Sequence, residues 1–297
     1  MAAIDASKLT TLRFEQTGHV GRLTLARPDT LNAFTVEMWS EMRALGAALL
    51  ADPGDLRALV VIGEGRAFSS GIDTSVFTDN AAARDSAESG SAESDAVVTG
   101  ALGPMGEGAD DDDPVAATIL GAQDAYTWLA EVPFATIAAV RGYALGAGLQ
   151  LALACDLRVV ARGTKLGLLE FKYGIIPDLG GTQRLPRLVG AGKAKELIFT
   201  AAKFDADDAE RLGIAERVVS DEELDEEAFA LARVIAAQPP LAVQGAKRAV
   251  EAAGSGLSVR EGLRVEATAQ AVCLRSDDMK EAITAFIEGR EPVYQGR

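Results

Sequence analysis

The segment ATIAAVRGYALGAGLQLALACD, residues 135–156, gives the clearest indication of this chain's architecture. Its first six residues are apolar or β-branched and predict a strand. A turn at Gly142 follows, and the small residues at 146–148 open an apolar stretch that predicts a helix running toward Ala154. A helix start presents backbone N–H groups without intrahelical partners and the positive end of the helix dipole. This turn is therefore a candidate for stabilising negative charge on a ligand.

A second glycine-containing turn, GEGRAFSSGID at residues 63–73, comes directly after the strand-like segment RALVVIG at residues 57–63. The continuous β-branched run predicts a strand that is buried on both faces. Neither glycine turn matches a phosphate-binding P-loop or the dinucleotide fingerprint. If the two turns converge, their N–H groups form a pair of donors for one developing oxyanion, but the spacing in sequence leaves convergence open.

The remaining hydrophobic pattern predicts an α/β core that is followed by a helical part. Further strands are predicted at 19–25 and 156–161, and helices are predicted after an N-cap at Thr35 and from about residue 115. Alanine-rich amphipathic stretches occur later in the chain, at 221–237, 241–253, 259–274 and 279–289. We therefore divide the chain into a core at 1–199 and a helical region at 200–297.

Size and composition fit a protein with a substantial core. The 297 residues are 48% hydrophobic and 25% charged, which is close to a globular average. The amino-terminal residues lack a secretory signal pattern and no apolar run is long enough to span a bilayer, so we expect a soluble, cytoplasmic protein without a membrane partner. A formal net charge of −15 repels phosphate backbones and argues against nucleic acid as a partner.

Much of the negative charge lies between Thr78 and Asp113, where ten acidic residues accompany one arginine. The small and polar composition of this segment, which ends in four consecutive aspartates, provides little apolar surface for a core. We interpret the segment at about 78–114 as a mobile insertion, either a lid or a solvated loop without a specific role.

The cysteine and histidine content argues against several kinds of chemistry. Cys155 and Cys273 lie far apart in sequence, and His19 is the single histidine. We expect neither a disulfide framework nor a metal site, and we expect Cys155 to act as a small buried hydrophobe. Ser-His-Asp and Cys-His catalysis need a positioned imidazole, whereas His19 is expected to be structural or on the surface.

Four blocks of sequence together resemble the enoyl-CoA hydratase/isomerase (crotonase) superfamily. In the order found in that family, they are Arg27-Pro28 with Leu31-Asn32-Ala33, residues 66–73, residues 142–156 and GIIPDLGGTQRL at residues 174–185. The resemblance covers about residues 12–290. It implies an α/β fold of the ClpP/crotonase-like type, which is a spiral of repeated β-β-α units with a helical carboxy-terminal trimerisation region. It also implies a homotrimer or homohexamer that acts on an acyl-CoA thioester, with no separate cofactor because coenzyme A belongs to the substrate.

The resemblance further implies which residues contact the ligand. The N–H groups of Ile72 and Ala147 would form the oxyanion hole for the thioester carbonyl. The residues that border coenzyme A and the substrate would be Leu31, Ala67, Ser70, Gly71, Asp73 and Gly146.

The carboxylates of the family decide which reaction is possible. A typical hydratase of the family uses two glutamates around one water. Glu170 matches one of these positions, whereas Gln150 occupies the other, and an amide neither takes up nor releases a proton at neutral pH. Asp178 lies eight residues after Glu170, a spacing that resembles some isomerases of the family, although it could instead cap the turn or helix at 180–182. We expect Glu170 and Asp178 to be catalytic, and Gln150 to orient substrate or water.

These departures favour isomerisation of an enoyl-CoA double bond (Δ3-Δ2 or dienoyl) in fatty-acid metabolism as the expected reaction. One alternative is an enoyl-CoA hydratase in which Asp178 replaces the missing glutamate and forms an acid–base pair with Glu170. The other alternative is a catalytically weak acyl-CoA-binding oligomeric protein.

Overall fold

The computed structural model describes residues 9–76 and 113–297 of the chain. Its strands are β1 (Leu12–Thr17), β2 (Val20–Leu25), β3 (Ala58–Gly63), β4 (Ala135–Val140), β5 (Tyr143–Leu145), β6 (Leu157–Ala161), β7 (Lys165–Gly167), β8 (Phe204–Asp205) and β9 (Arg217–Val219). Its helices are α1 (Val36–Ala51), α2 (Pro114–Glu131), α3 (Ala147–Ala154), α4 (Gly181–Phe199), α5 (Ala206–Arg211), α6 (Leu224–Ala236), α7 (Pro240–Ala253), α8 (Val259–Arg275) and α9 (Asp277–Glu288). Short 3-10 helices lie at Pro28–Thr30 and Glu170–Tyr173.

Six strands form one sheet in the order β1-β2-β3-β4-β6-β9. β1 pairs antiparallel with β2, and the other neighbouring strands are parallel. Every residue of β3 and β4 is buried, as expected of central parallel strands that are covered on both faces. A second sheet, β5-β7-β8, begins at the Gly142 turn directly after β4.

Alternate residues of the central strands pack against two different helical layers. Val61 and Ala138 belong to the main core, together with the apolar side of α1 and residues of α2 and α3. Val60 and Ile137 belong to a smaller cluster that includes α6. Because successive side chains of a strand point to opposite faces, a continuous apolar strand supplies both layers.

Most predicted elements lie within two residues of their observed bounds. The Thr35 hydroxyl accepts a hydrogen bond from the Met38 N–H at 3.2 Å, so Thr35 is the N-cap of α1 as predicted. β1 was missed because most of its residues are partly or fully exposed and give no apolar alternation. The sheets also continue beyond residue 200, since β8 pairs with β7 and β9 pairs with β6.

The histidine and the buried cysteine lie where the composition suggested. His19 is exposed, and its Nδ1 lies 2.8 Å from the carbonyl oxygen of Asp55. Cys155 is a buried free thiol, and burial raises its pKa to about 12. A thiol with so high a pKa is a poor nucleophile at neutral pH, which agrees with a packing role.

Within residues 9–76 and 113–297, no helix is long and apolar enough to cross a membrane. The same described residues contain no group of three or more histidine, cysteine, aspartate or glutamate side chains that could hold a metal ion. The acidic insertion that was predicted at about 78–114 lies almost entirely outside the described residues.

Candidate active site

The two glycine-containing turns lie against each other. The Phe68 N–H donates to the Arg141 carbonyl at 2.9 Å, and the Ser69 N–H donates to the Tyr143 carbonyl at 2.9 Å. In return, the Leu145 N–H donates to the Ser69 carbonyl at 3.1 Å. The convergence that the sequence left open is therefore built from backbone hydrogen bonds between residues more than seventy positions apart in the chain.

Glycine is required where the turns touch. Gly71 has φ +109°, and a Cβ atom added to it would lie 3.0 Å from the Leu145 carbonyl oxygen and 3.9 Å from the Ala147 nitrogen. Gly146 has φ +51° and ψ −120°, which is a conformation that residues with a side chain rarely adopt. A Cβ atom on Gly146 would lie 3.9 Å from the Gly71 Cα and 3.3 Å from Glu170 Oε1. These distances place both turns and Glu170 around one point.

The N–H group of Ile72 is directed away from its neighbouring segment. Phe34 forms an isolated parallel bridge with Ile72, in which the Phe34 N–H donates to the Gly71 carbonyl at 2.7 Å and the Asp73 N–H donates to the Phe34 carbonyl at 2.9 Å. In a parallel bridge these bonds involve the residues on either side of Ile72, so the N–H of Ile72 itself points to the opposite side.

The N–H group of Ala147 is directed out of the amino-terminal end of α3. Ala147 is the first residue of this helix, where N–H groups have no intrahelical acceptor. The preceding carbonyl, of Gly146, accepts from the Gln150 N–H at 3.0 Å and points into the helix. Because a trans peptide places its N–H opposite its C=O, the Ala147 N–H points outward.

Glu170 is a buried carboxylate beside these two turns. It begins the 3-10 helix that follows β7, and its residue is 4% exposed. Oε1 accepts a hydrogen bond from Gln150 Nε2 at 2.8 Å, whereas Oε2 has no hydrogen-bond partner among the described residues. Burial raises the pKa of Glu170, and the charge of Asp178 raises it further. A carboxyl group whose pKa is raised in this way is a candidate for exchanging protons with a ligand.

Gln150 holds Glu170 instead of facing a ligand with its carbonyl group. Its Oε1 accepts from the backbone N–H groups of Leu179 at 2.8 Å and of Gly181 at 2.9 Å. Two donors on Oε1 identify the other end of the amide as the NH₂ group, which donates to Glu170. Because Oε1 is already occupied, Gln150 does not orient substrate or water through this acceptor atom, and that part of the expectation is corrected.

Asp178 lies on the turn before α4 and shares the interior with Glu170. Its Oδ1 is buried without a hydrogen-bond partner in the described part of the chain, and burial raises its pKa. The N-cap residue of α4 is Gly180, so Asp178 is not the N-cap of this helix, and the alternative that it caps the turn stays open. Its charge contributes to the raised pKa of Glu170, so the two carboxyl groups interact.

The predicted coenzyme A-bordering residues occupy a connected loop surface. Leu31 has φ +54°, and its carbonyl accepts from the Ser70 N–H at 2.9 Å, which joins the two loops. Ala67 is fully buried, backbone included, and its carbonyl accepts from Asn32 Nδ2, so it exposes no surface to a ligand in this structure. Asp73 forms an ion pair with Arg27 at 3.0 Å, and its pKa is lowered chiefly by a hydrogen bond from the Ser75 N–H. Asp73 therefore organises its loop.

Asn32 is a structural residue of the site whose role the sequence did not reveal. It is fully buried with φ +55°. Its Oδ1 accepts from the Arg27 N–H at 2.9 Å, and its Nδ2 donates to the carbonyls of Glu64 at 3.0 Å and Ala67 at 2.8 Å. Asparagine is a residue type that favours turns and tolerates the left-handed conformation, and this could have drawn attention to it in the sequence.

Comparisons with known proteins identify the family. Residues 105–297 and 20–99 match two family models that are each described as enoyl-CoA hydratase/isomerase. The protein from Mycobacterium bovis named "Probable enoyl-CoA hydratase echA8" is 34% identical over 287 residues, which cover 97% of this chain and 98% of the relative. The crotonyl-CoA hydratase of Syntrophomonas wolfei is 34% identical over 270 residues, covering 91% and 92%.

A solved structure agrees with the sequence matches. A Thermobifida fusca protein, crystallised in complex with acetoacetyl-CoA, superposes with a TM-score of 0.73 at 36% identity and covers 89% of this chain and 94% of that one. The expected crotonase-type α/β fold is thereby confirmed. The chain belongs to the enoyl-CoA hydratase/isomerase (crotonase) family.

Proposed function

We propose that this protein is an enoyl-CoA hydratase that adds water to the conjugated double bond of a 2-enoyl-CoA such as crotonyl-CoA. The observation that carries the proposal is the buried Glu170, whose Oε2 lacks a partner in the described residues and which lies beside the Gly146–Ala147 turn. The hydratase names of both relatives favour hydration over the isomerisation that we ranked first from the sequence.

The two backbone donors would stabilise the charge that develops during the reaction. The N–H groups of Ile72 and Ala147 would bind the thioester oxygen, which withdraws electrons from C3 and accumulates negative charge in the enolate. Fixed donors of this kind cost no reorganisation when the charge forms, and one such donor is typically worth about 10²- to 10³-fold in kcat. Coenzyme A would lie along Leu31, Ser70 and Gly71.

The two carboxyl groups would divide the proton transfers. Water adds its oxygen to C3 while one carboxylate takes the water proton, and a carboxylic acid delivers a proton to C2 of the enolate. The product is a 3-hydroxyacyl-CoA. Glu170 and Asp178 supply this pair, because Glu170 is buried, Asp178 is partly buried with a buried Oδ1, and both have raised pKa values. Asp178 thus compensates for the amide at position 150.

Double-bond isomerisation is the second candidate, and Gln150 is the observation that favours it. Its acceptor oxygen is saturated by two backbone donors, so it cannot accept a proton from water as a second glutamate would. A single carboxylate, Glu170, can remove a proton at one carbon and return it at another. Isomerisation therefore needs one active carboxylate fewer than hydration does.

Paired assays on purified protein separate the two reactions. Crotonyl-CoA should lose the absorbance of its conjugated thioester as water adds, whereas a 3-enoyl-CoA would gain this absorbance only if the enzyme isomerises it. We expect Glu170→Gln to abolish turnover and Asp178→Asn to lower kcat by about 10²- to 10⁴-fold, the usual worth of general acid–base catalysis.

An exposed carboxylate provides the control for these variants. Glu210→Gln changes an exposed residue of α5 and should leave both rates unchanged. Gain of absorbance from the 3-enoyl substrate without loss from crotonyl-CoA would replace hydration by isomerisation. Full activity in Glu170→Gln would remove this carboxylate from either mechanism.

A further inference from the structure

Tyr126 of α2 is fully buried next to the two turns of the site. Its hydroxyl donates to the carbonyl oxygen of Ala147 at 3.2 Å, and it accepts a hydrogen bond from Trp39 Nε1 at 3.4 Å. Ala147 is the residue whose outward N–H is one of the two proposed oxyanion donors. Tyr126 therefore fixes one side of the proposed oxyanion hole from behind.

The ring of Tyr126 also contacts the segment that fixes the other donor. Its centroid lies 5.5 Å from that of Phe34 in an edge-to-face arrangement, and Phe34 in turn stacks on Trp39 at 5.9 Å. The backbone of Phe34 bonds to both neighbours of Ile72, as described above. Tyr126 is thus connected to Ala147 through its hydroxyl. It is connected to the backbone on either side of Ile72 through its ring contact with Phe34.

We propose that Tyr126 is a positioning residue of the oxyanion hole and that it sets the separation and orientation of the Ile72 and Ala147 N–H groups. This inference rests on the proposed function of those two groups. Active-site donors have to be held within roughly 0.5 Å of their productive positions, and this precision comes from buried groups behind them.

The hydroxyl of Tyr126 acts as a permanent donor. Burial raises its pKa well above the usual value for tyrosine, and the nearby carboxylates of Asp178 and Glu170 raise it further, while Trp39 and Arg184 oppose this. Tyr126 therefore stays protonated wherever the enzyme is assayed. Removing the hydroxyl group should lower kcat without changing the shape of the pH profile of kcat.

The test compares Tyr126→Phe with the matched control Tyr294→Phe, which removes a hydroxyl from the carboxy-terminal tail. Steady-state kinetics on crotonyl-CoA give kcat and KM across pH. The red shift of bound 4-(dimethylamino)cinnamoyl-CoA, a conjugated thioester, reports how strongly the site polarises the carbonyl group. We expect Tyr126→Phe to lower kcat about tenfold, a fraction of the worth of one oxyanion donor, with KM nearly unchanged and a smaller red shift.

The red shift separates positioning from a general structural role. An unchanged kcat overturns the inference, and so does a loss of kcat that follows the folded fraction while the red shift at saturation stays that of the wild type. If wild-type protein does not hydrate crotonyl-CoA but polarises the probe, and Tyr126→Phe weakens the polarisation, the inference stands and the proposed reaction fails.

Discussion

At the scale of single residues, the site depends on one buried carboxyl group with unequal oxygens. Gln150 bonds to Oε1 of Glu170 and is itself fixed by two backbone N–H groups, so the carboxyl group cannot rotate freely. Oε2 is left as the atom that can exchange a proton with a ligand. Burial makes the ionised form costly, which is the usual condition of a catalytic acid or base that works near neutral pH.

The cost of ionising the buried Glu170 predicts that the free energy of unfolding decreases as the pH rises. The folded state holds the proton of Glu170 above the ordinary pKa of 4.5, so it binds more protons than the unfolded chain does and the free energy of unfolding decreases with pH. The contribution is fully present below about pH 4.5 and is lost as the pH rises through the raised pKa. Urea unfolding should therefore show Glu170→Gln to be more stable than wild type at pH 7.5, and less different from it at pH 4.5.

The control for this measurement is Glu210→Gln, which removes an exposed carboxylate of α5 and should not show this pattern. A Glu170→Gln protein that is less stable than wild type at pH 7.5 would show that the ionised carboxylate is not destabilising in the folded state.

At the scale of elements, the site requires that α1 and α2 pack closely, because α1 follows Phe34 and α2 carries Tyr126. Gly46 of α1 lies directly against the ring of Trp128 in α2, and a Cβ atom at Gly46 would overlap this ring. The glycine therefore permits the close approach of the two helices. The space beside the Gly46 Cα admits a hydrogen atom but not the methyl group of an alanine.

We predict that Gly46→Ala destabilises the protein although alanine is the better helix former. Overpacking typically costs about 1–3 kcal/mol, which exceeds the gain of at most about 1 kcal/mol from helix propensity. Gly192→Ala in α4 is the matched control, because no heavy atom lies within 4 Å of its added Cβ, and it should not destabilise. Urea titrations of both variants measure the effect, and equal midpoints would contradict the packing argument.

At the scale of the whole molecule, the carboxy-terminal helices present apolar surface that the described chain does not cover. α8 contains no buried residue, and its Val259 and Leu263 are 81% and 56% exposed. Phe286 of α9 is 88% exposed. Large exposed apolar surfaces of this kind mark sites of association. We propose that further copies of the chain cover them, in the homotrimer or homohexamer that the sequence resemblance implied.

Light scattering coupled to gel filtration tests this assembly. Phe286→Asp should reduce the measured mass toward that of one 31.0 kDa chain, while the far-ultraviolet circular dichroism stays unchanged because this side chain is exposed within a protomer. Phe286→Leu keeps the apolar character and should retain the wild-type mass. A wild-type protein of 31.0 kDa would contradict the proposed assembly.

Local structure and family membership could be predicted from the amino-acid sequence alone. Residues close together in the chain encode the apolar run of β3, the Thr35 cap of α1 and the glycines of both turns. The motif around Glu170 is local in the same sense. Local sequence also indicated that Gln150 departs from the family pattern. It could not show what Gln150 contacts.

How these parts meet became visible in the three-dimensional packing of the chain. The two turns join through backbone hydrogen bonds between residues 68–69 and 141–145. Gln150 accepts hydrogen bonds from the turn at 179–181, and the hydroxyl of Tyr126 in α2 donates to the carbonyl of Ala147 in α3. These contacts depend on strand register and helix packing, which bring distant residues together, and no local pattern of polarity specifies such pairs. The burial of Glu170 and the partial burial of Asp178, which raise their pKa values, follow from the same packing.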